Sequence, residues 1–136
     1  MSVELERDRL REISRRLLRL HRILLDRERH AYEARHGTVS PGDLLRLLLH
    51  DEHFAWLRPL SMLIAQMDEL VDADEPMAAA DAEKAFREVY RLLKSGDRGA
   101  FQDTYRQALQ DSPDVVMAHA SVSAVLPAPN GEARPS

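Results

Sequence analysis

Over the first third of the chain, apolar side chains return at alternating steps of three and four. Leu10, Ile13, Leu17, Leu20 and Leu24 form one row, with Leu18, Leu25 and Tyr32 beside it. That spacing predicts a single amphipathic helix over residues 3–35. No Gly or Pro interrupts it, and at 1.5 Å per residue it reaches about 50 Å. Glu4, Glu6 and Asp8 lie at its positive end and Arg29, Arg35 and His36 at its negative end, as the helix dipole prefers, and Gly37 then offers a left-handed stop. Ser40-Pro41-Gly42-Asp43 follows with an N-cap, a proline at the first helical position and an acid at the third, predicting a short helix over 41–50.

The next stretch is apolar around most of a helical circumference. Leu57, Leu60, Ile64, Met67 and Val71 alternate by three and four, and Phe54, Trp56, Leu63 and Leu70 widen the same surface. This predicts a helix over 51–72, capped by Asp51 and kinked or restarted at Pro59, against which the others pack. Ala82, Phe86, Val89 and Leu93 predict another from Met77 or Ala80 to Lys94. Phe101, Tyr105, Ala108 and Leu109 predict one over 99–110, and Val115, Val116, Val122 and Val125 one over 113–126. Residues 127–136, with Pro127, Pro129, Asn130, Gly131 and Pro135, have the composition of a disordered tail.

No period-two run appears between turn residues, so the expected class is all-α, a single bundle of four main helices plus one short helix spanning residues 1–126. Its expected core holds Leu17, Leu24, Leu57, Leu60, Ile64, Met67, Phe86, Val89, Tyr105 and Val122.

The run Phe54-Ala55-Trp56-Leu57-Arg58-Pro59-Leu60-Ser61, preceded by Leu47-Leu48-Leu49-His50-Asp51, resembles a family of small bacterial all-helical proteins of uncharacterised activity. The likeness extends from about His21 to Leu126. It implies a helical fold and a bacterial origin, and it brings no activity, cofactor or catalytic residue with it.

A chain of 136 residues buries roughly 68% of its unfolded surface on folding, enough for a real core without staples. It has no Cys, which removes disulfides, thiolate metal sites and Cys nucleophiles. The charged start MSVELERDRLRE has neither the apolar centre of a signal peptide nor the acid-poor composition of a transit peptide, and no apolar run approaches the roughly 20 residues of a membrane span. A cytoplasmic protein without a membrane partner is expected. The net charge of −4 is unevenly spread: residues 1–50 hold eleven Arg against eight acids, a balance of +3, and the remainder eight bases against fifteen acids, a balance of −7. That asymmetry favours intramolecular or head-to-tail pairing over a polyanion. The stripe Arg15, Arg16, Arg19 and Arg22 is interleaved with Glu12 and Asp26 on an acidic domain, so nucleic acid is not an expected partner.

The six histidines raise the question of a metal, because helical bundles house iron sites built from Glu and His on facing helices. Glu33 to His36 and His50 to His53 have suitable spacing, but both fall at predicted helix ends. His21 and His119 are each flanked by leucines or valines at helical spacing, and Glu28 lies on the face of His21, so His21, Glu28 and His119 are the candidate ligands for iron or haem. The ordinary role of such a His is a core-edge imidazole bonded to a carbonyl or carboxylate. Asp72, Asp74 and Glu83 fit positions one, three and twelve of a calcium loop, but Pro76 and Met77 stand where a ligand and a Gly are needed. No phosphate loop, nucleophile elbow or zincin motif occurs, and no catalytic residue is assigned.

The favoured reading is a non-enzymatic interaction or regulatory module without a cofactor, open to a protein partner and self-associating as a homodimer. The alternative is a His/carboxylate metal- or haem-binding bundle. Because the first helix is expected to outreach its neighbours, the candidate interface is its surplus apolar row, Leu5, Leu10, Ile13 and Leu20, flanked by Arg9, Arg16 and Glu12.

Overall fold

The computed structural model describes residues 3–127, and among them it holds six α-helices, one 3₁₀ helix and no strand. In chain order these are α1 (Val3–His36), α2 (Pro41–His50), a 3₁₀ turn (Glu52–Leu57), α3 (Arg58–Asp72), α4 (Ala79–Leu93), α5 (Ala100–Asp111) and α6 (Pro113–Val125). The expected tail lies, from residue 128 onward, outside the described residues. The all-α class is as anticipated, but the count of four main helices plus one short one is not. Five helices have 12 residues or more, one more than the four main helices expected, although the separate spans predicted for α5 and α6 are both present. Ser112 divides them: its Oγ accepts from Val115 N at 3.3 Å and Pro113 takes the first position of α6, where its missing N–H leaves no bond unmade.

α1 is the hub. It packs on α3, α6, the 3₁₀ turn and α4, whereas α5 sits outside, on α4, α6 and the turn. Leu10, Ile13, Leu17, Leu20 and Leu24 are all buried to within 1% of full enclosure. They meet Leu60, Leu63, Ile64, Met67 and Val71 from α3, Val89 and its neighbours from α4, and Val115, Ala118 and Val122 from α6 in one continuous core. All ten residues anticipated for the core are buried. The organising helix is therefore α1, not the 54–71 segment.

That segment is divided instead of continuous. Pro59 falls in the first turn of α3, and the residues before it wind as a 3₁₀ turn that buries Phe54 and Leu57. A proline is tolerated at this point because the N–H it lacks would have no intrahelical partner. Of the two outcomes anticipated at Pro59, a kink or a restart, the chain restarts.

Polar links from α1 tie it to the segments beside it. Ser14 Oγ donates to Asp68 Oδ1 at 2.6 Å on α3, Arg16 Nη1 to the Ser121 carbonyl oxygen at 2.8 Å on α6, and Arg7 Nη2 to the Glu75 carbonyl oxygen at 3.0 Å beyond α3. The helix stops at Gly37, whose φ of +85° is left-handed and whose N–H returns to the Glu33 carbonyl at 2.8 Å.

Since α1 is enclosed on several sides, Leu17→Ala should destabilise the chain by about 2–5 kcal/mol, the usual cost of a cavity at a fully buried leucine. Met62→Ala, at an exposed position of α3, should stay within about 0.5 kcal/mol. Urea unfolding with comparison of midpoints at constant slope measures both. A Leu17→Ala midpoint close to that of Met62→Ala would show that α1 is not the hub.

Candidate interaction surface

α2 is a helix of ten residues with five leucines, and none of its residues is buried. Leu45 and Leu49, one turn apart, are 58% and 55% exposed, while Leu44, Leu47 and Leu48 lie half-buried against the core. Its main packing partner is the 3₁₀ turn that follows it. A helix this short gains little from its own hydrogen bonds, so its ends have to be held. At the N-terminus, Ser40 Oγ accepts from Asp43 N at 3.1 Å and Pro41 takes the first position. A reciprocal hydrogen bond from Ser40, followed by the Arg46 guanidinium, holds the Asp43 carboxyl below its ordinary pKa. At the C-terminus, Arg58 reaches back from α3: Nε donates to the Leu48 carbonyl at 3.0 Å and Nη2 to the Asp51 carbonyl at 2.9 Å. The guanidinium thus occupies the negative end of the helix and satisfies one of its orphan carbonyls.

Beside α2 a groove of about 500 Å³ opens toward the end of α1, lined among others by Tyr32, His36, Val39, Leu47 and His50. Its rear wall continues into an aromatic cluster, in which Tyr32 lies 4.2 Å from His36, 5.6 Å from Phe54 and 5.8 Å from His53, ring centre to ring centre. Leucine face and groove together form the largest exposed concentration of leucine on the described residues, where the apolar side chains left in water are Leu5, Leu18, Leu45, Leu49, Met62, Val116 and Met117.

The interface anticipated on α1 is not there. Leu10, Ile13 and Leu20 are completely buried within the chain, and only Leu5, 49% exposed, is open to a partner. α1 does outreach any single neighbour, but α3 and α6 together line it, as the bonds from Ser14 to Asp68 and from Arg16 to Ser121 show. The row judged surplus from helix length is in fact the core.

The three candidate ligands also part company. His21 Nε2 lies 2.6 Å from Ser61 Oγ, Glu28 Oε2 lies 2.7 Å from His53 Nε2, and His119 Nδ1 lies 2.7 Å from the Tyr105 hydroxyl. Each engages its own partner, and among the described residues no three of His, Asp and Glu converge as a metal site. The Glu28–His53 contact is short, yet it does not have the geometry of a hydrogen bond, and His53 Nε2 has no hydrogen-bond partner among the described residues.

The His21–Ser61 pair invites comparison with a base and nucleophile. Ser61 Oγ also lies 3.3 Å from the Leu57 carbonyl oxygen. Both contacts are satisfied together when His21 Nε2–H donates to Oγ and the hydroxyl donates to that carbonyl. The hydroxyl proton then points at the helix backbone, and the pair cross-links α1 to α3 without activating the serine. Burial holds the His21 pKa below its ordinary value, consistent with a neutral ring. Between α5 and α6, burial pushes the Tyr105 hydroxyl far up, so it stays protonated and donates to His119. Burial first, and then the charge of Lys94, hold His119 down.

A second concave surface lies between α1 and α6. Two adjoining grooves of about 590 and 560 Å³ share Arg19, Arg22 and Ser121. Compared with known proteins, the chain matches no family model, no curated protein and no solved structure.

Sequence reading singled out His21 and His119 but not their partners. Ser61 stands 40 residues from His21, and no local pattern announces that pairing. The His119 pairing carried a faint signal, since Tyr105 and Val122, three residues from His119, are both expected in the core. Arg58 as the clasp of α2 was likewise hidden, because a carbonyl acceptor leaves no mark in sequence.

Buried His21 and half-buried His119 make stability pH-dependent. The unfolded chain protonates each near the ordinary value of 6.5, while the folded chain resists protonation. Their contribution is complete above that value and is lost as pH falls through it toward the lowered folded pKa. Thermal unfolding should therefore move to lower temperature between about pH 7.5 and about pH 5.5. In the His21→Gln/His119→Gln double variant that decline should be shallower, and an unchanged slope would show that neither ring is held neutral by the fold.

Proposed function

We propose that this chain is a non-enzymatic helical interaction module that self-associates, with α2 and not α1 as the contact. The observation that supports it is the leucine face of α2. Fully burying a leucine is worth about 1.5–3 kcal/mol, and α2 leaves two of them mostly in water while its ends are clasped by Ser40 and Arg58. A helix held in place by its caps, with its apolar side turned outward, has the design of a docking face.

A second copy suits this face because its charges are self-complementary. About a two-fold axis, antiparallel α2 helices set Leu45 of each copy opposite Leu49 of the other. The acidic first turn of each, with Asp43, then comes beside the basic last turn of the other, with His50. This is the isologous contact of a cyclic dimer, and the groove along Tyr32, Val39 and Leu47 widens it toward the area a stable pair requires. His21, Glu28 and His119 each face a different neighbour, which weighs against a shared metal or haem site.

Sedimentation at micromolar concentration should give twice the chain mass of 15.5 kDa. Leu45→Glu/Leu49→Glu should return it to the monomer with its helical circular dichroism intact, whereas Leu5→Glu should leave the dimer unchanged. A wild-type monomer, or a dimer indifferent to the α2 substitutions, would sink the proposal.

A further inference from the structure

The paired grooves between α1 and α6 carry a different chemistry. Their bases are Arg15, Arg16, Arg19 and Arg22 and their acids Glu12 and Asp114, an excess of two positive charges on a chain whose net charge is −4. Arg15 and Arg16 both pair with Glu12. Arg16 also donates to the Ser121 carbonyl, which fixes the spacing of the two helices. Arg19 and Arg22 make no ion pair or hydrogen bond to any described residue. Between the arginines lie Leu18, 45% exposed, and Met117, 72% exposed and the most exposed of the large apolar side chains among the described residues.

We infer that this groove binds an acidic amphipathic helix of a partner protein. Three arguments converge on that occupant. The first is shape: the site is a trough between two helices, the form that takes a third helix, whereas a lipid surface is met by a convex apolar face. The second is charge. Arg19 and Arg22, which no carboxylate of the described residues engages, stand three residues apart on one stripe, so carboxylates one turn apart on a docked helix meet free guanidinium forks, which bind carboxylates bidentately. The third is the apolar content, since an exposed methionine adapts to whatever leucine or valine the partner offers.

This inference goes beyond self-association, because the two surfaces share no residue. The probe is a synthetic 18-residue helical peptide with Glu at positions repeating by four and three beside a leucine row, labelled for fluorescence anisotropy. Its twin with Lys for Glu serves as the comparison. The acidic peptide should bind the full-length chain, more weakly as salt rises, and the lysine twin should not. Arg19→Gln/Arg22→Gln should weaken binding tenfold or more with unchanged circular dichroism, and Met117→Asp, at an exposed site, should weaken it independently. Sedimentation of the same samples should show the oligomeric state unaltered. No binding of the acidic peptide, equal binding of the lysine twin, or binding untouched by both variants would overturn the inference. So would arginine-dependent binding to phosphatidylserine vesicles without peptide binding, which would make the groove a lipid contact.

Discussion

Everything in this bundle depends on the enclosure of one seam. Leu10, Ile13, Leu17, Leu20 and Leu24 run along four turns of α1 and are shielded jointly by α3, α4 and α6, of which α3 and α4 also pack on each other. α3, α4 and α6 are each 15 residues or shorter, α1 has 34, and no single partner could cover it. The chain solves this by returning to α1 repeatedly, with the 3₁₀ turn and α3, then α4, then α6, so that different stretches of the same stripe meet different partners. One consequence is that α1 carries the polar links that set register. Apolar contact is non-directional, whereas the bonds from Ser14 to Asp68, Arg16 to Ser121 and His21 to Ser61 each admit one alignment.

The same arrangement explains why α2 is the exposed helix. It leaves α1 at Gly37 and must rejoin the bundle at the 3₁₀ turn within ten residues of helix and a short link. That span is too brief to cross the bundle, so α2 lies at its edge, fastened at its start by Ser40 and at its end by Arg58. Pro59 contributes from the other side: by ending any continuous helix through 51–72, it places Arg58 at the first position of α3, one side chain away from the last carbonyls of α2.

The elements that sequence periodicity revealed are those whose burial is one-sided and regular. The α1 stripe, the Gly37 stop, the Ser40-Pro41 start and the break at Ser112-Pro113 all stand where their local signals put them. What misled was relative burial. A long apolar stripe looks surplus when helix lengths are compared pair by pair, so Leu10, Ile13 and Leu20 read as an interface; three-dimensional packing by several helices in relay leaves no trace in the spacing of any one of them. The five leucines of α2 carried no signal either way, since apolar content in a short helix does not say whether another helix arrives to cover it, and none of them is fully buried. The histidines show the same limit at atomic scale. Their apolar setting was legible and their burial followed, but Ser61, His53 and Tyr105, which decide what each imidazole and Glu28 can do, became neighbours only through the fold.

The charge distribution, finally, acquires a physical sense that the totals lacked. The balance of +3 in the first fifty residues is not spent inside the molecule: Arg11, Arg15, Arg16, Arg29 and Arg46 pair with acids three or four residues away on their own helices, and such exposed pairs contribute little to stability. Between Asp68 and Glu83 seven acids likewise form no ion pair with a described residue. The fold therefore holds both unpaired fields, with Asp68 bonded only to the neutral Ser14 and Glu75 offering Arg7 its backbone carbonyl instead of its carboxylate. A stability-driven design would have closed these charges on each other across the α1–α3 contact. Keeping Arg19 and Arg22 free beside exposed Leu18 and Met117 serves recognition better than folding, because a guanidinium already committed to an internal carboxylate has no fork left to offer a partner.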